Sequence, residues 1–347
     1  MALTQTYVDP SINANSGTGT IGDPYGDLQY ALDTMTRDAT NGDQINVKSG
    51  TAEVLTATLS LTSYGTPAAN SHLILSGYTS AANDGGIGII DGDGSYPALS
   101  MPRYVDVKDM ELRNSGSNTI AQGNNRDYNT MTNCIIHENN GASYGVLNWN
   151  LSGCHIYEVG ATQAVANCHA YGCGIFQGTT NTFVRAIGGD RVKTIRNLIY
   201  VTDNARGYFA HNGLFQDVIG NSFMMNGGDA IYMSGGGYGN VIRDNLIEGA
   251  GTGIYLNTNG VTQGNAVYNS STADYNIGNF EWENESLSAS PFEKTGAATW
   301  ANAKAYFAPA DVGNVRTGAY SSIDGVKGAI SVQQSSGGGG NVIVIEE

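Results

Sequence analysis

An all-β solenoid of stacked parallel strands is the fold class this sequence predicts, and three observations predict it. A short pattern repeats: segments 192–200, 216–224 and 240–248 align so that Asn197, Asn221 and Asn245 are spaced by 24 and 24, and Asn265 follows 20 later. A period of that length fits one coil of a β-solenoid and is too short for a helix-turn-helix repeat. Glycine fills 48 of 347 positions, about twice the usual share, which suits a chain that turns sharply many times. Proline is absent between Pro102 and Pro291, as continuous parallel pairing requires, because a central strand cannot give up its ladder N–H.

The opening segment, residues 1–40, is expected to carry the one helix. Leu28, Ala31, Leu32 and Met35 fall at helical spacing behind Asp27, a natural N-cap. A helix over 27–37 would cover the raw strand edge that a solenoid leaves at its end. Residues 41–280 are expected to form the solenoid. Running the repeat backwards places Gly153, Asn133 and Asp109 at the Asn position. Two places later the column reads Ile135, His155, Ile199, Phe223, Ile247 and Val267, expected to stack inward at the ~4.8 Å spacing of neighbouring strands. The Asn column itself is expected to form a ladder of side-chain amides.

A second short strand trails the first: Gly174-Ile175-Phe176, Gly207-Tyr208-Phe209, Ala230-Ile231-Tyr232 and Gly253-Ile254-Tyr255. Alternation turns one column inward and the next outward. With Ile175, Tyr208, Ile231 and Ile254 inside, Phe176, Phe209, Tyr232 and Tyr255 form an outward aromatic stripe. Three readings compete for it: a sugar-binding face, a subunit interface, or a surface covered by a loop.

The four cysteines are Cys134, Cys154, Cys168 and Cys173. Cys134 and Cys154 read as buried thiols in a column that continues as Leu198, Ser222, Leu246 and Ala266. Cys168, His169 and Cys173 fall in a stretch between Gly153 and Asn197 that is one coil plus about 20 residues long, read as an insertion. Their spacing matches no standard zinc pattern, so no metal and no cofactor is expected.

Residues 281–334 read as a closing segment. Residues 335–347 are a Gly-rich linker and an apolar strand, in which Val342, Ile343, Val344 and Ile345 are the candidates for assembly by strand addition to a neighbour. Folding back onto the chain's own last coil is the competing reading.

These motifs resemble the right-handed parallel β-helix superfamily, the pectate-lyase-like architecture. The resemblance is closest from residue 104 to 268 and weaker from 41 to 103. It implies the right-handed coil, to which the residues themselves add a short N-terminal capping helix and an extended C-terminal tail. The opening segment, and the closing segment around Ser290-Pro291-Phe292 and Tyr306 to Gly313, resemble those of phage and environmental-bacterial β-helix proteins.

Enzymes of that superfamily mostly cleave polysaccharides. Of the polygalacturonase-like motif set, only Arg191-Val192-Lys193 has a counterpart here, and the carboxylate pair that glycoside hydrolysis needs is missing from its place. The catalytic candidates are therefore weak: Asp190, Arg191, Lys193 and Asp217. Lys193 with Asp217, 24 apart, and Arg206 with Asp229, 23 apart, read better as charge ladders between coils.

The chain holds 31 acidic and 16 basic residues, a net charge of −15. That balance argues against nucleic acid and anionic membranes as partners. No apolar run approaches a membrane span, and residues 1–6 lack the basic and apolar regions of a secretory signal. The functional expectation is a structural virion component of a phage (fibre, spike or decoration protein), found on the virion or outside the cell. It would homo-oligomerise or join other virion proteins, and contact surface polysaccharide. The alternatives are a polysaccharide lyase or glycoside hydrolase, and a bacterial extracellular filament or surface protein. Catalysis is left open by the sequence.

Overall fold

The computed structural model describes residues 3–12, 16–116, 118–177, 182–257, 259–277, 280–282, 284–287, 290, 292 and 294. The closing segment beyond 294 and the terminal strand with Val342, Ile343, Val344 and Ile345 lie outside the described residues. The chain is a parallel β-solenoid. It divides into two compact units, residues 1–154 with 159–161, and residues 155–158 with 162–347.

In the first unit, the strands Thr4–Val8, Asp43–Lys48, Leu73–Tyr78, Val105–Lys108, Thr130–Thr132 and Asn150–Ser152 stack in parallel as one face. The stack thus already starts within the opening segment. Its inward column is Ile45, Leu75, Val107, Met131 and Leu151, all buried. A second face carries Ala52–Val54, Gly88–Asp91, Met110–Gly116 and the start of Ile135–Leu147, with Ile90, Leu112 and Ile136 inward. The helix spans Leu28–Thr34, shorter than the 27–37 expected. Asp27 caps it by accepting the Tyr30 N–H at 2.6 Å. Met35 has already turned extended, at ψ 143°.

The second unit has three faces per coil. The first holds His169–Tyr171, Lys193–Ile195, Asp217–Ile219, Asn240–Arg243, Gly260–Gln263 and Phe280–Trp282. The second runs from residues 155–157 through Gly174–Phe176, Leu198–Tyr200, Ser222–Met224, Leu246–Glu248 and Ala266–Tyr268 to Glu285–Leu287. The third holds 163–166, Arg185–Gly188, Arg206–His211, Asp229–Ser234, Thr252–Leu256 and Ala273–Ile277.

Between the first and second faces runs the amide ladder. The Asn197 backbone N–H and Nδ2 both donate to Asn221 Oδ1, at 2.9 and 3.0 Å. Asn221 donates in the same way to Asn245, Asn245 to Asn265, and Asn265 to Asn284. The second Nδ2 hydrogen of each rung is spent on a backbone carbonyl of the preceding coil, Ala170 for Asn197 and Thr194 for Asn221. Both Nδ2 hydrogens of Asn197, Asn221, Asn245 and Asn265 are thereby matched, which is what makes a polar column tolerable in a core.

The ladder corrects the register expected upstream. Asp109, Asn133 and Gly153 take left-handed φ of 53°, 54° and 60°; their counterparts are Arg196, Gly220, Asp244 and Gly264, one place before each Asn. The inward residues are therefore Ile136 and Ile156, each one place after the Ile135 and His155 expected there. A slip of one residue exchanges the two faces of a strand. Cys134, Cys154 and Cys173 consequently occupy the ladder column, and do not continue as Leu198 and Leu246. Cys173 N–H donates to Asn197 Oδ1 at 2.8 Å. Cys134 Sγ donates to the Val107 carbonyl, the place an Asn Nδ2 reaches elsewhere. The supposed insertion is a regular coil: residue His155 pairs with Gly174, and Gly174 with Leu198.

Candidate functional site

The four sequence candidates fall on the first face of the second unit and on the corner that leads into it. Lys193 and Asp217 are register partners in adjacent coils. One coil earlier, His169 Nδ1 accepts the Lys193 backbone N–H at 3.0 Å, so its ring proton sits on Nε2. Tyr171 lies two residues beyond His169 on the same outward side of the strand, in register with Ile195, and burial together with the Asp217 charge pushes its hydroxyl pKa up. His169, Tyr171, Lys193 and Asp217 thus share one outward strip across three coils.

Asp190 is committed elsewhere. Its Oδ1 accepts the Leu214 backbone N–H at 2.8 Å and fixes the corner of the following coil. Arg191 holds a left-handed φ of 53° at that corner, and Phe215 holds the same conformation one coil on, at 52°. That conformation costs a non-glycine residue roughly 1–2 kcal/mol. Phe215 turns outward, 53% exposed, against Tyr238, 52% exposed. Their rings meet edge to face at 5.2 Å and 79°, an arrangement that leaves one aromatic face open. Gly239 makes this possible: a Cβ there would stand 2.6 Å from Phe215 Cδ1.

The expected aromatic stripe is divided by the structure. Phe209, Tyr232 and Tyr255 are register partners on the third face. They stack nearly parallel, with centroids 5.7 and 4.6 Å apart. Arg185 lies over Phe209 at 3.7 Å, and Arg206 over Tyr232 at 3.9 Å. Arg206 also pairs with Asp229 at 3.1 Å, the charge ladder expected from their spacing. The ring faces are therefore largely spent on one another and on guanidinium groups. Phe176 does not belong to this column. It lies on the second face, buried with Leu198, Met224, Leu246 and Ala266 beneath Phe292. The closing segment is tied there by Lys294 on Glu248 and by Ser290, whose hydroxyl donates to Glu248 Oε2 at 2.8 Å.

Among the described residues, no group of three or more His, Cys, Asp or Glu side chains is placed to hold a metal ion. No described helix is long and apolar enough to cross a membrane. Phe215 and Tyr238 were not reached from sequence as site residues, and His169 was weighed only beside Cys168 and Cys173 for metal binding. The only signal was position, since both aromatics stand at the corner six or seven residues before a ladder Asn.

These faces define a parallel β-helix, with three strands to the coil in the second unit. The fold is similar to the crystal structure of pectate lyase Pel9A, with a TM-score of 0.52 and 13% identity over 90% of this chain and 91% of that one. Weaker similarity extends to the GH136 lacto-N-biosidase from Eubacterium ramulus (TM-score 0.40, 11% identity, 82% of this chain and 67% of that one) and to rice weevil pectin methyl esterase (0.39, 10%, 81% and 92%). No protein-family model and no curated protein matches the chain. At these identities the likeness concerns the fold alone.

Proposed function

We propose that this chain is a structural β-solenoid that contacts glycans, serving as a fibre, spike or decoration component of a phage virion. The observation that carries the glycan-contact half is the Phe215–Tyr238 pair. It is exposed, held by a strained corner and by Gly239, and is flanked by Arg191 and the Lys193–Asp217 pair. An open aromatic face beside hydrogen-bonding groups suits stacking against a sugar ring. The structural half is supported by how the candidate catalytic groups are used. Asp190 is engaged with the Leu214 N–H, and Lys193 faces Asp217 across neighbouring coils.

A second reading, a polysaccharide lyase or hydrolase, is favoured by one feature: His169, Tyr171, Lys193 and Asp217 share an outward strip on a fold also used by a pectate lyase. Two measurements separate these readings. Purified protein incubated with acidic and neutral polysaccharides should bind without releasing reducing ends or unsaturated product. Electron microscopy should show an ordered assembly. Turnover that is lost in Asp217→Asn would replace the structural reading with the enzymatic one.

A further inference from the structure

We infer that the first unit carries a glycan subsite of its own, formed by His72, Tyr104 and Tyr128 above Asp106 and Thr130, and that its ligand is an uncharged oligosaccharide. The inference rests on the glycan-contact reading above but on different residues.

The strip begins with backbone pairing. Leu73 N–H donates to the Tyr104 carbonyl and Tyr104 N–H to the Tyr128 carbonyl, both at 3.1 Å, so the three rings climb three successive coils. Their centroids are 5.5 and 4.9 Å apart, close to the length of one pyranose residue in an extended chain. Unlike the parallel stack of Phe209, Tyr232 and Tyr255, these rings are tilted by 53° and 50°. Tilting keeps each ring from covering the face of the next. Arg103 lies over Tyr128 at 5.3 Å and adds a donor at the far end.

The polar groups are arranged beside the rings. Asp106 Oδ2 meets His72 Nδ1 at 2.7 Å, and Thr130 Oγ1 donates to Asp106 Oδ1 at 2.6 Å. The carboxylate thus orients the imidazole, while His72 is still 31% exposed. Tyr104 is a left-handed corner residue, at φ 65°, so a bulky side chain is again kept where a smaller residue would relieve strain. Tyr128 is 37% exposed and Tyr104 half-buried, so the strip offers imidazole and phenol groups to solvent as donors and acceptors. Aromatic surface next to mixed donors and acceptors recognises pyranose hydroxyls and their apolar C–H faces. A carboxylate among them disfavours an acidic sugar.

The test is a titration of histidine-labelled protein with neutral gluco-, galacto- and manno-oligosaccharides, followed by NMR. There are five histidines in the chain, so the His72 signal is assigned by its loss in His72→Asn. The inference expects a saturable shift at His72 that persists in Phe215→Ala/Tyr238→Ala. It also expects affinity to fall roughly tenfold in Tyr128→Ala, the loss of one aromatic anchor. Binding that vanishes in Phe215→Ala/Tyr238→Ala, with His72 never perturbed, would overturn the inference and leave the proposed function standing. No saturable shift or binding with any glycan, acidic ones included, would overturn both.

Discussion

The Glu53 carboxylate accepts the backbone N–H of Leu28 at 3.1 Å, so a buried acid from the second coil closes the first turn of the only helix described. Glu53 is in register with Ile90 and therefore points inward. Burial pushes its pKa up from 4.5 to about 7, against the lowering effect of the Leu28 hydrogen bond.

That shift has a sign. Between pH 4.5 and 7 the folded chain keeps a proton that the unfolded chain has lost, so stability from this group falls as pH rises and is lost above pH 7. The ceiling is about 3 kcal/mol. Urea unfolding at pH 5 and pH 8 should therefore show a smaller difference for Glu53→Gln than for the parent chain. An equal or larger pH dependence in Glu53→Gln would contradict the burial of an acid at this position.

Asn221→Ala should be among the most damaging single substitutions. It removes the acceptor for two Asn197 donors and the donor to Asn245. Each orphaned buried group costs about 1–3 kcal/mol, so the total should reach several kcal/mol. Thermal unfolding measures it, and a loss below 1 kcal/mol would mean that water or a shifted coil replaces the rung.

Gly239→Ala tests the corner. The new Cβ meets Phe215 Cδ1 at 2.6 Å, at a residue with φ 72°. The expected stability loss is roughly 1–2 kcal/mol, with glycan binding reduced as the Phe215 ring is displaced. Binding that is unchanged in a variant whose Phe215 ring has demonstrably moved would remove this pair from the ligand surface.

Arg206→Ala is expected to weaken folding by only about 1 kcal/mol, the scale of a partly exposed cation–π contact with one ion pair. Glycan affinity should not change, since Arg206 serves the ladder with Asp229 and Tyr232. A parallel fall in affinity would return the third face to the list of binding surfaces.

All four cysteines are buried free thiols, and burial raises the Cys134 pKa. A disulfide-exchange reagent should therefore find no rapidly reacting thiol in the folded protein and four after denaturation. Fast modification of the native chain would contradict the placement of Cys134, Cys154 and Cys173 in the ladder column.

The solenoid and its amide ladder were legible because Asn197, Asn221, Asn245 and Asn265 each serve two neighbouring coils, and so leave a period. The register upstream was not. Asn133 and Asp109 resemble ladder residues in chemistry, yet they sit at the left-handed corner, a role that Asn and Asp fill as readily. Phe176 was misplaced for a related reason: a Gly-apolar-aromatic triplet can open the second face or the third, and only pairing tells which. Phe215, Tyr238, His72, Tyr104 and Tyr128 escaped because an isolated outward aromatic at a corner has no inward period to announce it. The Lys193–Asp217 and Arg206–Asp229 alignments were legible, since a charge and its partner repeat at the coil length itself.

The Asn column also bears on how such a chain could change over generations. The Asn-to-Asn hydrogen bonds run in one direction only, from Asn197 towards Asn284. A rung specifies one vertex of its coil and nothing about the distance travelled around the other two. Coils of 24 and of 20 residues are accordingly joined by the same contact, at 3.0 Å for Asn221 to Asn245 and 2.8 Å for Asn245 to Asn265. Lineages of such chains could lengthen, shorten or duplicate whole coils, and so relocate a surface corner such as that of Phe215 and Tyr238, without having to reinvent the joint that holds successive coils together.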